Sequence, residues 1–236
     1  MFDKKYLTAK NVLKILKDAK ENGIEANFDN KIIVEELDFE DYTFSMPVSF
    51  VETTFEGYAD FKGATFKGYA DFKGATFEGE VSFSGATLLG EAYFTHARFR
   101  YHVSFWGAKF KNDVDFWEAT FMHYANFGNA TFWCDAYFNS ATFENDVDFW
   151  DATFEKYAYF TGATFEGELY FNNARFKNNV SFKGTRFNGY TSFACASFVY
   201  KPSFDGAKFE SKFKFKDVNV TVDGLSFSLK DYIDRL

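Results

Sequence analysis

Large apolar residues recur along most of this chain at alternating steps of five and six, and nothing interrupts the rhythm between Phe39 and Phe215. Of the 33 positions concerned, all are Phe except Leu88. The repeating unit has eleven residues, as in GATFKGYADFK at 63–73. Two residues before each centre stands a small or branched apolar residue, Ala in most units (Ala59, Ala64, Ala70) and Val in others (Val81, Val114). An eleven-residue period also suits a right-handed coiled coil. Steps of five and six at about 100° per residue, however, set successive Phe some 130° or more apart on a helix, so no seam forms. A flat strand fails as well, because an odd step turns the side chain to the opposite face. The chain must therefore bend between consecutive centres.

Gly, Asn or Asp follows most centres by two residues, as at Gly57, Gly63, Gly68, Gly74, Gly79, Asn112, Asn129, Asn145, Asp151 and Asn178. These residue types tolerate tight-turn backbone angles. Each side, two to a unit, then reads as a short extended piece with Ala and Phe pointing inward, one residue between them pointing outward, and a corner. Only stacked coils bury every Phe. Burial at roughly 1.5 to 3 kcal/mol per large side chain makes the Phe stack the dominant stabilising term.

These AxF units resemble those of the pentapeptide-repeat proteins over roughly residues 28–220. The resemblance implies an all-β solenoid, a right-handed quadrilateral β-helix with four sides per coil. The present chain adds one residue to every second side, so a coil takes 22 residues and about eight coils are expected between 39 and 220. At about 4.8 Å per coil the rod is about 40 Å long. Short helices are expected at both ends, because exposed strand edges recruit other chains. Residues 1–27 read as an N-terminal capping helix with Val12, Ile15, Leu16 and Ala19 on one stripe, Thr8 as N-cap and Gly23 as stop. Residues 221–236 read as a C-terminal helix whose Leu229, Tyr232, Ile233 and Leu236 either cap the last coil or form a dimer contact.

Catalytic signals are sparse. There is no P-loop, GxSxG, HExxH or dinucleotide fingerprint, and no enzyme activity or cofactor is expected. A solid Phe-filled rod also offers no interior pocket. His96, His102 and His123 read as exposed corner residues, with His102 and His123 as neighbours across coils; a metal needs three or four convergent ligands. Cys134 and Cys195 have no metal or redox spacing. With no signal segment or apolar span, the chain reads as a cytoplasmic protein, with no membrane partner.

Charge distribution is more informative. The formal net charge is -8, which disfavours direct contact with nucleic acid. Between 111 and 155, nine acids face the single base Lys111. Projected at 22 residues per coil, Glu91, Asp113 and Asp135 stack on one corner and Asp146 and Glu168 on another, with Asp115 and Asp148 in outward positions. Like charges about 5 Å apart in water repel by roughly 0.8 kcal/mol, so these ladders are expected to add no stability. Aromatics occupy the same stretch. Trp106, Trp117, Trp133 and Trp150 each follow a centre and should point outward, as should Tyr93, Tyr137 and Tyr159. Trp106 and Trp150 flank Gly128, an arrangement that leaves room for a slot. Carboxylates beside Trp and Tyr have the composition of a protein interface. The expected function is a non-enzymatic scaffold that binds another protein through this acidic, aromatic face. The resemblance implies one alternative, a DNA mimic that occupies DNA gyrase or topoisomerase IV and alters quinolone sensitivity. A purely structural role is the third reading.

Overall fold

The computed structural model describes residues 6–211 and 218, together with the backbone of 213–214, 219–222 and 225–227. The chain forms a parallel β-solenoid of about nine turns with coils of about 22 residues. Each coil contributes one two-residue strand to each of four sheets, which hold 10, 8, 9 and 10 strands. The first face begins at Ala26–Asn27, the second at Ile32–Ile33, the third at Leu37–Asp38 and the fourth at Thr43–Phe44. The chain visits them in that order, so the first and third faces are opposite. Register is one coil throughout, with Ala70 opposite Ala92 and Phe77 opposite Phe99.

The core follows from the repeat. Every centre from Phe28 to Phe204 is buried. Rings of one face stack along the rod: Phe72 and Phe94 lie 5.0 Å apart with planes 1° from parallel. Rings of opposite faces meet edge to face, as Phe127 and Phe138 do at 5.4 Å and 90°. Both geometries suit the aromatic quadrupole. The Ala column keeps the corners narrow enough for this packing. Where Thr53 and Thr185 replace Ala, their buried hydroxyls donate to the carbonyls of Phe28 and Phe160 at 2.6 and 2.7 Å.

Two kinds of corner separate the faces, and they use glycine for different reasons. After the first and third faces the chain turns through four residues, as where the Ala75 amide donates to the Phe72 carbonyl at 3.0 Å. The third residue of that turn is left-handed, every eleventh position from Asn30 to Gly206, as in the type II pattern. This turn lies within the five-residue step, as from Phe72 to Phe77. The corner after the second and fourth faces holds the six-residue step and packs tightly on the coil below. A Cβ on Gly79 would lie 2.8 Å from the backbone of Gly57 in the coil below, so glycine here serves close approach.

At the N-terminal end, helix Ala9–Asn22 covers the first coil with Val12, Leu16 and Ala19. Thr8 and Asn11 form a reciprocal capping box, and Gly23 closes the helix at φ 64°. The segment expected as cap alone also contributes strands: Tyr6–Leu7 pairs with Ile32–Ile33, and Ala26–Asn27 opens the first sheet. Strand pairing therefore begins ahead of the expected start at residue 28. At the other end, Asn219–Val222 and Leu225–Phe227 pair antiparallel, so the expected C-terminal helical segment opens with a β-hairpin. Leu229, Tyr232, Ile233 and Leu236, the expected cap or dimer contact, lie outside the described residues.

Candidate interaction surface

Outward residues on the first and third faces occupy one backbone niche, between the inward Ala or Val and the Phe. From there a short polar side chain reaches the amide two residues on. Asp115 Oδ1 accepts from the Trp117 amide at 2.7 Å, Asp148 Oδ1 from that of Trp150 at 2.7 Å, and Asn126 Oδ1 from that of Gly128 at 2.8 Å. These contacts fix the corners that present Trp117 and Trp150. Trp106, Trp117, Trp133 and Trp150 are all about half exposed, at 53%, 46%, 47% and 51%. Burial raises the pKa of Asp148 above the ordinary carboxylate value.

The acidic and aromatic residues do not share one face. Glu91, Asp113 and Asp135 occupy the tight corner that leads into the first face, and Asp115, Tyr93, Tyr137 and Tyr159 lie on that face itself. Trp117 and Trp133 flank them on either side. Asp146 and Asp148 belong to the opposite side, on the third face and the corner leading into it, with Trp106 and Trp150 at the corner after it. The reason is the half-coil offset: the near-identical stretches VDFWEATF at 114–121 and VDFWDATF at 147–154 are one and a half coils apart.

The corner carboxylates also have a structural role. Asp113 Oδ1 accepts from the Asp135 amide at 3.0 Å, Asp135 Oδ1 from the Tyr157 amide at 3.1 Å, and Asp146 Oδ1 from the Glu168 amide at 2.8 Å. Each carboxylate thus binds a backbone amide one coil on. A charged acceptor on an amide is worth more than the repulsion between neighbours. The ladders therefore contribute stability, contrary to the expectation from charge alone.

On the first face, Tyr137 and Tyr159 stack at 5.1 Å with planes 6° apart, and Tyr157 lies 5.9 Å from Tyr159. Tyr137 donates to Asp135 Oδ2 at 3.3 Å. Burial, then Asp135, pushes the Tyr137 pKa up to about 12. Two aromatics of this side already hold cations: the Lys73 ammonium lies 4.0 Å from the Tyr93 ring centre and that of Lys111 lies 3.1 Å from Trp133. Tyr157 was not singled out from the sequence, although its position in the Asp113 and Asp135 column carried the signal.

One polar atom breaks the pattern. At equivalent corners the side chain bonds the outward residue of the next coil, as in Thr95 to Asp115 at 3.0 Å and Thr161 with Ser181 at 2.9 Å. Asn139 occupies the same column, and its counterpart is Tyr159. The buried Asn139 Oδ1 has no hydrogen-bond partner among the described residues.

The expected slot between Trp106 and Trp150 is partly filled. A Cβ on Gly128 would lie 3.4 Å from Trp106 Cδ1, so the indole leans over the glycine. His102 and His123 are neighbours, with ring centres 5.7 Å apart. His96 Nδ1 lies 3.2 Å from Glu118 Oε2. No cluster of three metal-ligating side chains occurs among the described residues. No described helix is long and apolar enough to cross a membrane.

Neither a curated protein nor a solved structure matches the chain. The family model described as pentapeptide repeats, nine copies, matches residues 25–76, 72–120, 116–163 and 153–194. Those segments cover the coils just described, and the chain belongs to the pentapeptide-repeat family.

Proposed function

We propose that this protein is a non-enzymatic scaffold whose first face binds a basic segment of another protein. Members of this family are in general structural or interaction proteins. The observation that carries the reading is the exchange made at Tyr159. A serine there, as at Ser181 one coil on, would satisfy Asn139. Instead the buried Asn139 Oδ1 goes without a partner while Tyr159 extends the stack from Tyr137. An unsatisfied buried acceptor costs about 1 to 3 kcal/mol. Local rules broken at such a cost mark functional positions. Asp113, Asp115 and Asp135 border the platform, and desolvated aromatic rings with carboxylates at the rim suit Lys and Arg side chains.

The test separates fold from function. Tyr159→Ser should change stability by less than about 1 kcal/mol, because the regained hydrogen bond offsets the lost stack. The same variant should lose a partner that wild type retains from host extract, and retention should fall with added salt. A control on the second face, Thr120→Ala with Thr142→Ala, should retain it. Equal retention by all three proteins overturns the reading.

A second reading is DNA mimicry toward gyrase or topoisomerase IV. It is favoured by carboxylates on two opposite sides of one rod, because duplex DNA is charged on all sides. Supercoiling by gyrase is the measurement. Loss of supercoiling activity with wild type, relieved when Asp113, Asp135 and Asp146 are changed to Asn, supports it; full supercoiling with folded wild type discards it.

A further inference from the structure

The side opposite the tyrosine platform carries a groove of its own. It opens over the third face, where Ser82 and Ser104 fill the outward positions of two successive coils. Tyr58 closes one end and Tyr124 the other, and the groove holds about 150 Å³. Glu80 and His102 form its side, in the corner column that also contains both tyrosines. Two short residues in the outward ladder, bounded by the tyrosines of the adjoining corner column, open the space.

Its electrostatics are one-sided. No Lys or Arg lines it. Asp60 lies beside the Tyr58 hydroxyl and Asp148 beside that of Tyr124, and burial with these carboxylates holds both phenols in the protonated form. Glu80 has no ion-pair partner among the described residues. An anion would meet a carboxylate and no fixed cation, whereas a cation would find that carboxylate, two aromatic rings and serine oxygens. The narrow floor favours a compact head on an unbranched chain. Elsewhere on the rod, Lys111 over Trp133 makes the same kind of contact within the molecule.

We propose that this groove binds an alkylammonium group, carried by a lysine side chain of a partner or by a free diamine. The site shares no residue with the tyrosine platform and is independent of its role.

The test is an amide NMR titration of the full chain with cadaverine, with N-acetyl-lysine methylamide and with 1-pentanol as the neutral control. Both amines should shift the Ser82, Ser104 and Asn126 amides at millimolar concentration, and pentanol should not. Tighter binding of the lysine amide assigns the ligand to a protein side chain; tighter binding of cadaverine assigns it to a free diamine. Glu80→Gln should weaken amine binding about fivefold, the effect of one partly exposed ion pair. Ser104→Leu should fill the floor and abolish binding. Because Ser104 Oγ also accepts from the Trp106 amide at 3.3 Å, His102→Arg provides a second block that leaves the floor intact. Equal shifts by pentanol, shifts that survive both blocking variants, or no shifts at about 20 mM amine overturn the proposal.

Discussion

At the scale of single residues, glycine has two separate meanings here, and they predict different costs. Gly162 is left-handed at φ 70° with only Ser140 Oγ nearby, at 3.5 Å from an added Cβ. Gly162→Ala therefore pays the conformational penalty alone, about 1 to 2 kcal/mol. Gly167 has no unusual φ, yet an added Cβ would stand 2.4 Å from the backbone of Asn145. Gly167→Ala must displace a neighbouring coil and should cost more, about 2 to 3 kcal/mol. Chemical denaturation of the two variants gives the ranking; an equal or reversed order removes the distinction between the corners. His96, Glu118, Ser140 and Cys195 occupy left-handed corners without being glycine.

At the scale of one strand and its corner, inward and outward neighbours differ sharply. Phe127 is fully buried between Phe105 and Phe149, which stack on it at 4.9 and 4.8 Å. Phe127→Ala should cost about 3 to 5 kcal/mol. Asn126 points outward, but its bond to the Gly128 amide raises the expected cost of Asn126→Ala to about 1 kcal/mol. Similar losses at the two sites would contradict the assignment of inside and outside. The corner carboxylates give a second comparison. Asp135→Ala leaves the Tyr157 amide without its acceptor and should cost about 1 to 2 kcal/mol, whereas Asp135→Asn keeps an acceptor and relieves repulsion along the column. Equal destabilisation by Ala and Asn would remove the hydrogen bond as the reason for the ladder. The alternation of Phe, Ala and polar positions was fully legible in the sequence. The hydrogen bonds of the outward residues were not, because they depend on how far each carboxylate reaches along a corner.

For the whole molecule, the outward tyrosines tie stability to alkaline pH. Burial first, then Asp60, pushes the Tyr58 pKa up to about 12. Tyr170 is pushed up to about 12 by its hydrogen bond to Glu168 and by burial, and Tyr137 is likewise raised. Tyr69, Tyr93, Tyr124 and Tyr159 shift in the same direction. A folded phenol that holds its proton more tightly than the unfolded one contributes stability that is fully present below pH 10, the unfolded value. That contribution is lost as pH rises toward 12. Absorbance at 295 nm should therefore show these phenols ionising late, together with the loss of β-sheet circular dichroism. Ionisation complete near pH 10 with the fold intact would refute the linkage.

The resemblance to pentapeptide-repeat proteins implied four sides and a 22-residue coil; the residues alone determined a stack of coils and the identity of nearly every core side chain. Local spacing decides those features: a step of five or six with Ala two residues before Phe permits no other way to bury every ring. The N-terminal helix was legible too, since Thr8, the apolar stripe and Gly23 act within a few residues of one another. The surface was decided only in three dimensions. Asp115 and Asp148 stand in the same motif, yet half a coil beyond a full turn sends them to opposite sides of the rod. The partnerless Asn139 oxygen depends on a residue twenty positions away, and the groove at Ser82 and Ser104 depends on Tyr58 and Tyr124 in the coils on either side. Core burial is set by neighbours along the chain, whereas surface chemistry is set by neighbours one coil apart, and only the stacked structure brings those together.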